Sequence, residues 1–193
     1  MASASAVSPR RRIRPRADVP LSGVFSSSDS EFTRGVTYRE ANVRFIQDMV
    51  VHHAQALEMT ELVRKYASTE AVKQIAQRME ISQRHEIELM EAWLSNNGEP
   101  LRMPRVNGQM PIMAGMLTPE QMQRLSVARG VGFDKLFLEF MIEHHLGANE
   151  MVANLSSDSG VEKTSTVFQF AEEMDVDQAM EIQRMLAILE GME

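Results

Sequence analysis

Apolar residues recur at spacings of three and four along residues 40–66, with Phe45, Met49, Ala56, Met59 and Val63 on one face, which predicts a helix ending at Tyr66. Ser68 or Thr69 then caps a second helix that runs to Asn97, with Gly98 and Pro100 as stop signals. Residues 99–117, rich in Met, Pro and Gly, read as a loop. Thr118-Pro119-Glu120-Gln121 has the form of a capping box with Pro at the first helical position, and it starts a short helix ending near Gly130. A third long helix is expected over about 132–155 and a fourth over about 163–191. No alternating strand pattern occurs, so the fold class is all-α.

The pattern repeats. Phe45-Ile46-x2-Met49-x2-His52-His53-x5-Met59 returns as Phe137-Leu138-x2-Met141-x2-His144-His145-x5-Met151, and Glu58 matches Glu150. The following helices align as well: Ala76, Met79, Gln83, Glu86, Ile87 and Met90 correspond to Ala171, Met174, Gln178, Glu181, Ile182 and Met185. Two helical hairpins of one design, joined by one short connecting helix, predict a pseudo-symmetric four-helix bundle.

Charge divides the chain differently. Residues 1–40 carry net +3 and the remainder net −10, and the first segment is biased toward Ser, Pro and Arg. Such a segment buries too little apolar surface to order itself, so residues 1–37 read as a disordered tail and 38–193 as the folded domain. The arginines precede no apolar stretch of secretory type; the composition also suits an organellar transit peptide, but ordinary basic tails share it. A net charge of −7 argues against nucleic acid as partner, and no apolar run reaches membrane-spanning length. Cys is absent, which excludes disulfides, thiolate metal sites and a cysteine nucleophile or lipid anchor in this sequence.

The 16 Met, set against 8 Phe, 2 Tyr and 1 Trp, give the core its chemistry. On a helical wheel His52 and His53 lie on the two flanks of the stripe centred on Met49, within about 60° of it, and His144 and His145 flank Met141 likewise. Gln83 and Glu86 share a narrow stripe with Met79 and Met90, as Gln178 and Glu181 do with Met174 and Met185. A carboxylate on a core face is expensive unless a donor or cation meets it, and the facing histidines or a metal held by them would do so.

The candidate ligands are therefore His52, His53, His144, His145, Met49, Met59, Met141 and Met151, with Glu86, Glu181, Gln83 and Gln178 as supporting or direct contacts. No histidine has Glu three residues before it, unlike the di-iron bundles; His52 and His144 have Met49 and Met141 there. Exchanging carboxylate for thioether softens the site and favours Cu(I). Loop residues Met103, Met110, Met113 and Met116, with Met122 on the short helix, would extend such a soft-metal function or simply cover the bundle end. Capture by unshifted imidazoles should weaken below about pH 6.5. The alternatives are a di-metal oxidase using iron or manganese at Glu86, Glu181 and the histidines, and a structural bundle whose histidines are inert.

At these residues the sequence resembles a bacterial family labelled domain of unknown function 305. The resemblance covers roughly 38–191 and rests on Phe45 through His53, Ser82-Gln83-Arg84-His85-Glu86-Ile87, Gly115 through Met122, and Phe133-Asp134 through His144-His145. It implies a ferritin-like fold, copper or silver handling by the paired His and Met, and an exported protein, although neither an export signal nor an anchor is visible in this sequence. From the duplicated His-Met stripe the expected role is sequestration or chaperoning of copper, not turnover, with a copper-transfer partner or a second copy of the chain as companion. This chain departs from the pattern where relatives commonly carry Asp: Asn42 stands in the first copy, while Asp134 is kept in the second and is expected as a supporting contact or possible ligand of the metal. His85 replaces a more usual acidic residue and falls off the core stripe, and the 99–117 loop lacks the His common in relatives.

Overall fold

The computed structural model describes residues 27–102, 112–157 and 165–192, with side chains from residue 39 onward. Five helices follow one another: α1 Ser27–Tyr66, α2 Glu70–Asn96, α3 Pro119–Val127, α4 Gly130–Ser157 and α5 Thr166–Glu190. No strand is present among the described residues. Apart from the start of α1, helix ends fall within a few residues of those the hydrophobic pattern predicts, because Gly, Pro and capping residues mark them. Thr118 accepts from the Gln121 amide while the Gln121 side chain accepts from the Thr118 amide, closing the expected box.

Helix α1 starts earlier than the periodic stretch 40–66 suggests. Residues 27–37, placed in the tail above, continue α1 toward its N-terminus, while residues 1–26 lie outside the described residues. Once the packed stretch 40–66 has nucleated a helix, each further turn propagates at little cost even through a polar segment.

The helices pair as two hairpins, α1 on α2 and α4 on α5, with α1 packed antiparallel against α4. The direction follows from the ends. Ser68 and Thr69, after α1, meet Asp134 at the start of α4, and the Tyr66 ring lies edge-on to Phe133 at 5.9 Å. At the other end Arg39 bonds Glu99 and the Asn97 carbonyl, so α2 finishes beside Arg39 of α1.

The core is split into two apolar clusters. One gathers Ala56, Met59, Val63, Met79, Leu125, Phe133, Phe137, Met141 and Met185 toward the α1–α2 turn. The other gathers Phe45, Ile46, Met49, Met90, Leu94, Val152, Val167 and Met174 toward the opposite end. Along α1 the first cluster takes residues from Ala56 onward and the second those up to Val50, which leaves His52 and His53 in the layer between. No helix among the described residues is long and apolar enough to cross a membrane.

Candidate metal centre

His52, His53, His144 and His145 are all buried, none more than 1% exposed. α1 and α4 cross at this level: the rings of His52 and His144 lie 3.8 Å apart between centroids, tilted by 40°. His53 and His145 stand 6.5 and 6.3 Å from their neighbours His52 and His144 and point toward the other two helices. His53 Nε2 donates to Glu86 Oε2 of α2 at 2.6 Å, and His145 Nε2 donates to Glu181 Oε2 of α5 at 2.7 Å. The same contact thus recurs in both hairpins. Each helix was expected to offer its Glu to a facing histidine; the structure selects the second His of each doublet for it.

His52 is held from a direction the sequence did not suggest. Its Nε2 donates to the Ala114 carbonyl at 2.9 Å, from a strap of chain over residues 112–118. The Gln55 side chain fixes the strap by donating to the Leu117 carbonyl and accepting from the Leu117 amide, at 3.0 and 2.7 Å. On its other side the strap lies against α4 at Gly147. A Cβ at Gly147 would run into the Ala114 carbonyl, and one at Gly115 (φ +74°) would meet the Glu143 carbonyl oxygen at 2.6 Å. Two glycines therefore let backbone touch backbone, and that contact sets where the Ala114 oxygen sits. The paired glycines were the available signal for it.

Three Nε2–H groups are thus committed, to one backbone carbonyl and two carboxylates. In the neutral ring this leaves Nδ1 as the lone-pair nitrogen, and Nδ1 of all four histidines is buried with no hydrogen-bond partner. His144 lacks a partner at Nε2 as well. Burial drives the pKa of His52 from 6.5 down to about 3, the nearby His53 and His145 adding to the effect against the Ala114 bond. Burial first, and then the surrounding histidines, also hold His144 well below its usual value. The central pair is therefore neutral at physiological pH, the form a metal requires. The expectation of proton competition near pH 6.5 accordingly shifts to lower pH for this pair.

The thioethers stand above and below the imidazole layer. Met49 and Met141, each one turn from the first His of its doublet, are fully buried on opposite sides of it, one in each apolar cluster. Met59 and Met151 lie seven residues beyond His52 and His144, about 10.5 Å along the helix axis, so they sit a layer further out. Met59 is fully buried and Met151 partly so. Met116 is half-buried in the strap, and Met122 packs on the apolar cluster that includes Met59 and Met141. Met103 and Met110 lie outside the described residues. His85 is exposed, as its wheel position predicts, and lines a groove of about 820 Å³ between α1 and α2 that holds none of the candidate ligands.

Asp134 belongs elsewhere. Fully buried, it accepts from the amides and hydroxyls of both Ser68 and Thr69, ten residues and about 15 Å along α4 from His144. Its carboxylate serves the α1–α2 turn instead of the histidine layer: Thr69 makes no side-chain cap of its own, and Asp134 supplies the acceptor for the amides at the start of α2. Gln83 and Gln178 are buried on α2 and α5 beside the two glutamates, and Gln83 Oε1 has no partner.

Among the described residues no three His, Asp or Glu side chains converge closely enough to enclose an ion by themselves. The orphaned Nδ1 atoms and the committed Nε2–H groups fit such a ligand, since histidines that bind metal usually donate their other N–H to a carboxylate or backbone carbonyl.

The family model for the domain of unknown function DUF305 matches residues 42–189. The chain belongs to the DUF305 family. A DUF305 protein from Streptomyces coelicolor superposes with a TM-score of 0.70 at 27% identity, covering 79% of this chain and 93% of that one. A DUF305 fragment from Deinococcus radiodurans gives 0.66 at 29% identity, with 78% and 95% covered. CopM in its Cu(I)-bound form gives 0.61 at 22% identity, with 78% and 96% covered, and shares the fold. CopM has also been solved in a Cu(II)-bound form. No curated protein matches the chain.

Proposed function

We propose that this DUF305 domain binds a soft metal ion, copper(I) above all, in the layer where α1 crosses α4, and that it sequesters the ion or passes it on. One observation carries the reading: four buried imidazoles keep Nδ1 without a partner, at the level where two Met-rich clusters meet. Unpaired polar nitrogens in a core are costly, about 1–3 kcal/mol each, and a ligand that accepts their lone pairs removes that cost. His52 and His144 are the primary ligands in this account, and Met49 and Met141 approach from either side. His53 and His145, oriented by Glu86 and Glu181, complete the set, and Met59 and Met151 form an outer layer.

The donor set favours copper over iron or manganese. Hard ions need clustered oxygen ligands, whereas Glu86 and Glu181 are each engaged by a histidine and belong to no group of three or more His, Asp or Glu side chains able to hold an ion among the described residues. Neutral imidazole and thioether suit Cu(I) and silver. That CopM, of the same fold, has been solved with Cu(I) and with Cu(II) adds support.

Titration of the purified chain with silver or with Cu(I) against a cuprous probe tests the reading. Saturation at a small integer stoichiometry is expected, with a rise in melting temperature as the native state takes up the ion. His52→Ala with His144→Ala should abolish the high-affinity step. Unchanged binding by that double variant, or iron or manganese found by elemental analysis of the native protein, would overturn it.

A further inference from the structure

Most approaches to the four imidazoles are filled. The two apolar clusters occupy the bundle above and below them, α1 packs closely on α2 and α4 on α5, and on the α1–α4 face the strap lies over His52, with Ala114 on its ring nitrogen and Gly115 against Gly147. The remaining face is the seam between α2 and α5, which touch only sparsely. A cleft of about 250 Å³ opens there.

Its inner wall is built from Gln83, Glu86, Gln178 and Glu181. The two glutamates are 14% and 12% exposed, so each carboxylate reaches the cleft while its Oε2 holds the Nε2–H of a buried histidine directly behind. Gln83, 3% exposed, keeps its Oε1 without a partner on the same wall. Ser82 and Asp177 stand nearer the mouth, with Arg78 and Arg184. Three carboxylates against two guanidiniums leave the cleft net negative.

We propose that the α2–α5 cleft is the port through which a soft monovalent cation enters and leaves the imidazole layer. The inference rests on the metal-binding reading above and adds the route. A cation leaving water for a low-dielectric interior needs ligands at every stage, because an unpaired buried charge is far costlier than a paired one. The cleft supplies them in order: the Asp177 carboxylate outside, then Glu86, Glu181 and the Gln83 carbonyl oxygen, then the unprotonated Nδ1 atoms of His53 and His145. The strap offers no such series, and passing it would require parting the Gly115–Gly147 backbone contact. Glu86 and Glu181 thereby act twice, orienting the histidines and relaying the ion.

The test is the rate of silver loading of the full apo chain and of silver removal by a chelator, followed by stopped flow, with stoichiometry measured alongside. Ser82→Trp places an indole in the cleft and should slow both directions roughly tenfold or more while the number of ions bound stays the same. Asp177→Arg reverses the charge at an exposed mouth position and should slow loading about tenfold, and added sodium nitrate should relieve the slowing. Ile112→Trp, on the exposed strap side, should load at the wild-type rate. Wild-type rates in both cleft variants, with normal stoichiometry, would overturn the port and leave the metal-binding reading standing. A wild-type chain that takes up no silver would remove both. Should Ser82→Trp lose its helical signal, Asp177→Arg decides alone.

Discussion

The rings of His52 and His144 lie 3.8 Å apart between centroids, tilted by 40°, in the middle of the bundle, and yet no ring nitrogen of His144 has a hydrogen-bond partner. A pair of polar rings is thus brought together from two helices at a place where an apolar pair would cost the apo fold less. Stability and binding should pull in opposite directions here.

His144→Leu makes that opposition measurable. Leucine has a similar bulk and no nitrogens to desolvate, so urea unfolding of the apo chain should show a gain of about 1–3 kcal/mol. The same variant should lose the metal-dependent rise in melting temperature. A loss of apo stability, of the size usual for a disturbed core, would mean that His144 is satisfied in a way the structure does not show.

The depressed pKa values fix the direction of a pH effect. His52 titrates at 6.5 when unfolded and at about 3 when folded, so between these values the unfolded chain binds the extra proton. Stability from this group is complete above pH 6.5 and falls as pH drops toward 3, by about 1.4 kcal/mol for each unit. His144 acts in the same direction. Apo urea midpoints at pH 7 and pH 5 should differ accordingly, and His52→Leu should flatten the difference. Metal held by the pair, meeting little proton competition, should persist well below pH 6.5; release centred near 6.5 would place the ion on exposed histidine instead.

Gly147→Ala probes the strap. The new methyl group would strike the Ala114 carbonyl, backbone against backbone, where no side chain can swing aside. Thermal unfolding should report a loss of about 1–3 kcal/mol. Metal affinity should fall with it, since moving Ala114 removes the acceptor that fixes the His52 tautomer; second contacts of this kind are worth about 10–100-fold in affinity. An equal stability loss produced by a distant core substitution, with affinity intact, is the control.

Asp134→Ala separates fold from site. Removing a buried acceptor for two amides and two hydroxyls should cost about 2–3 kcal/mol, while ion stoichiometry at low temperature stays at the wild-type value. Lost binding in a variant that is still helical would return Asp134 to the metal centre.

The contrast between Asp134 and Glu86 explains what could be read in the chain. The helices were legible because Thr118, Pro119, Gly98 and the spacing of Met and Phe act locally. That Glu86 and Glu181 share the buried stripe was legible for the same reason. Which histidine each would meet was not, because a wheel fixes the azimuth of a side chain on its own helix and leaves the relative rotation of two helices open. The antiparallel packing of α1 on α4 also puts Met49 and Met141 in different clusters, although they hold equivalent positions in the repeated motif. The Ala114 carbonyl left no trace in side-chain identity; only Gly115 and Gly147, far apart in sequence, mark the contact.

The most direct measurement is crystallography of the copper- or silver-loaded full chain with anomalous data at the metal edge. A peak between the Nδ1 atoms of His52 and His144, with sulfur from Met49 or Met141 beside it, is the predicted result. Density confined to exposed methionines such as Met180, with the imidazole layer empty, would contradict it.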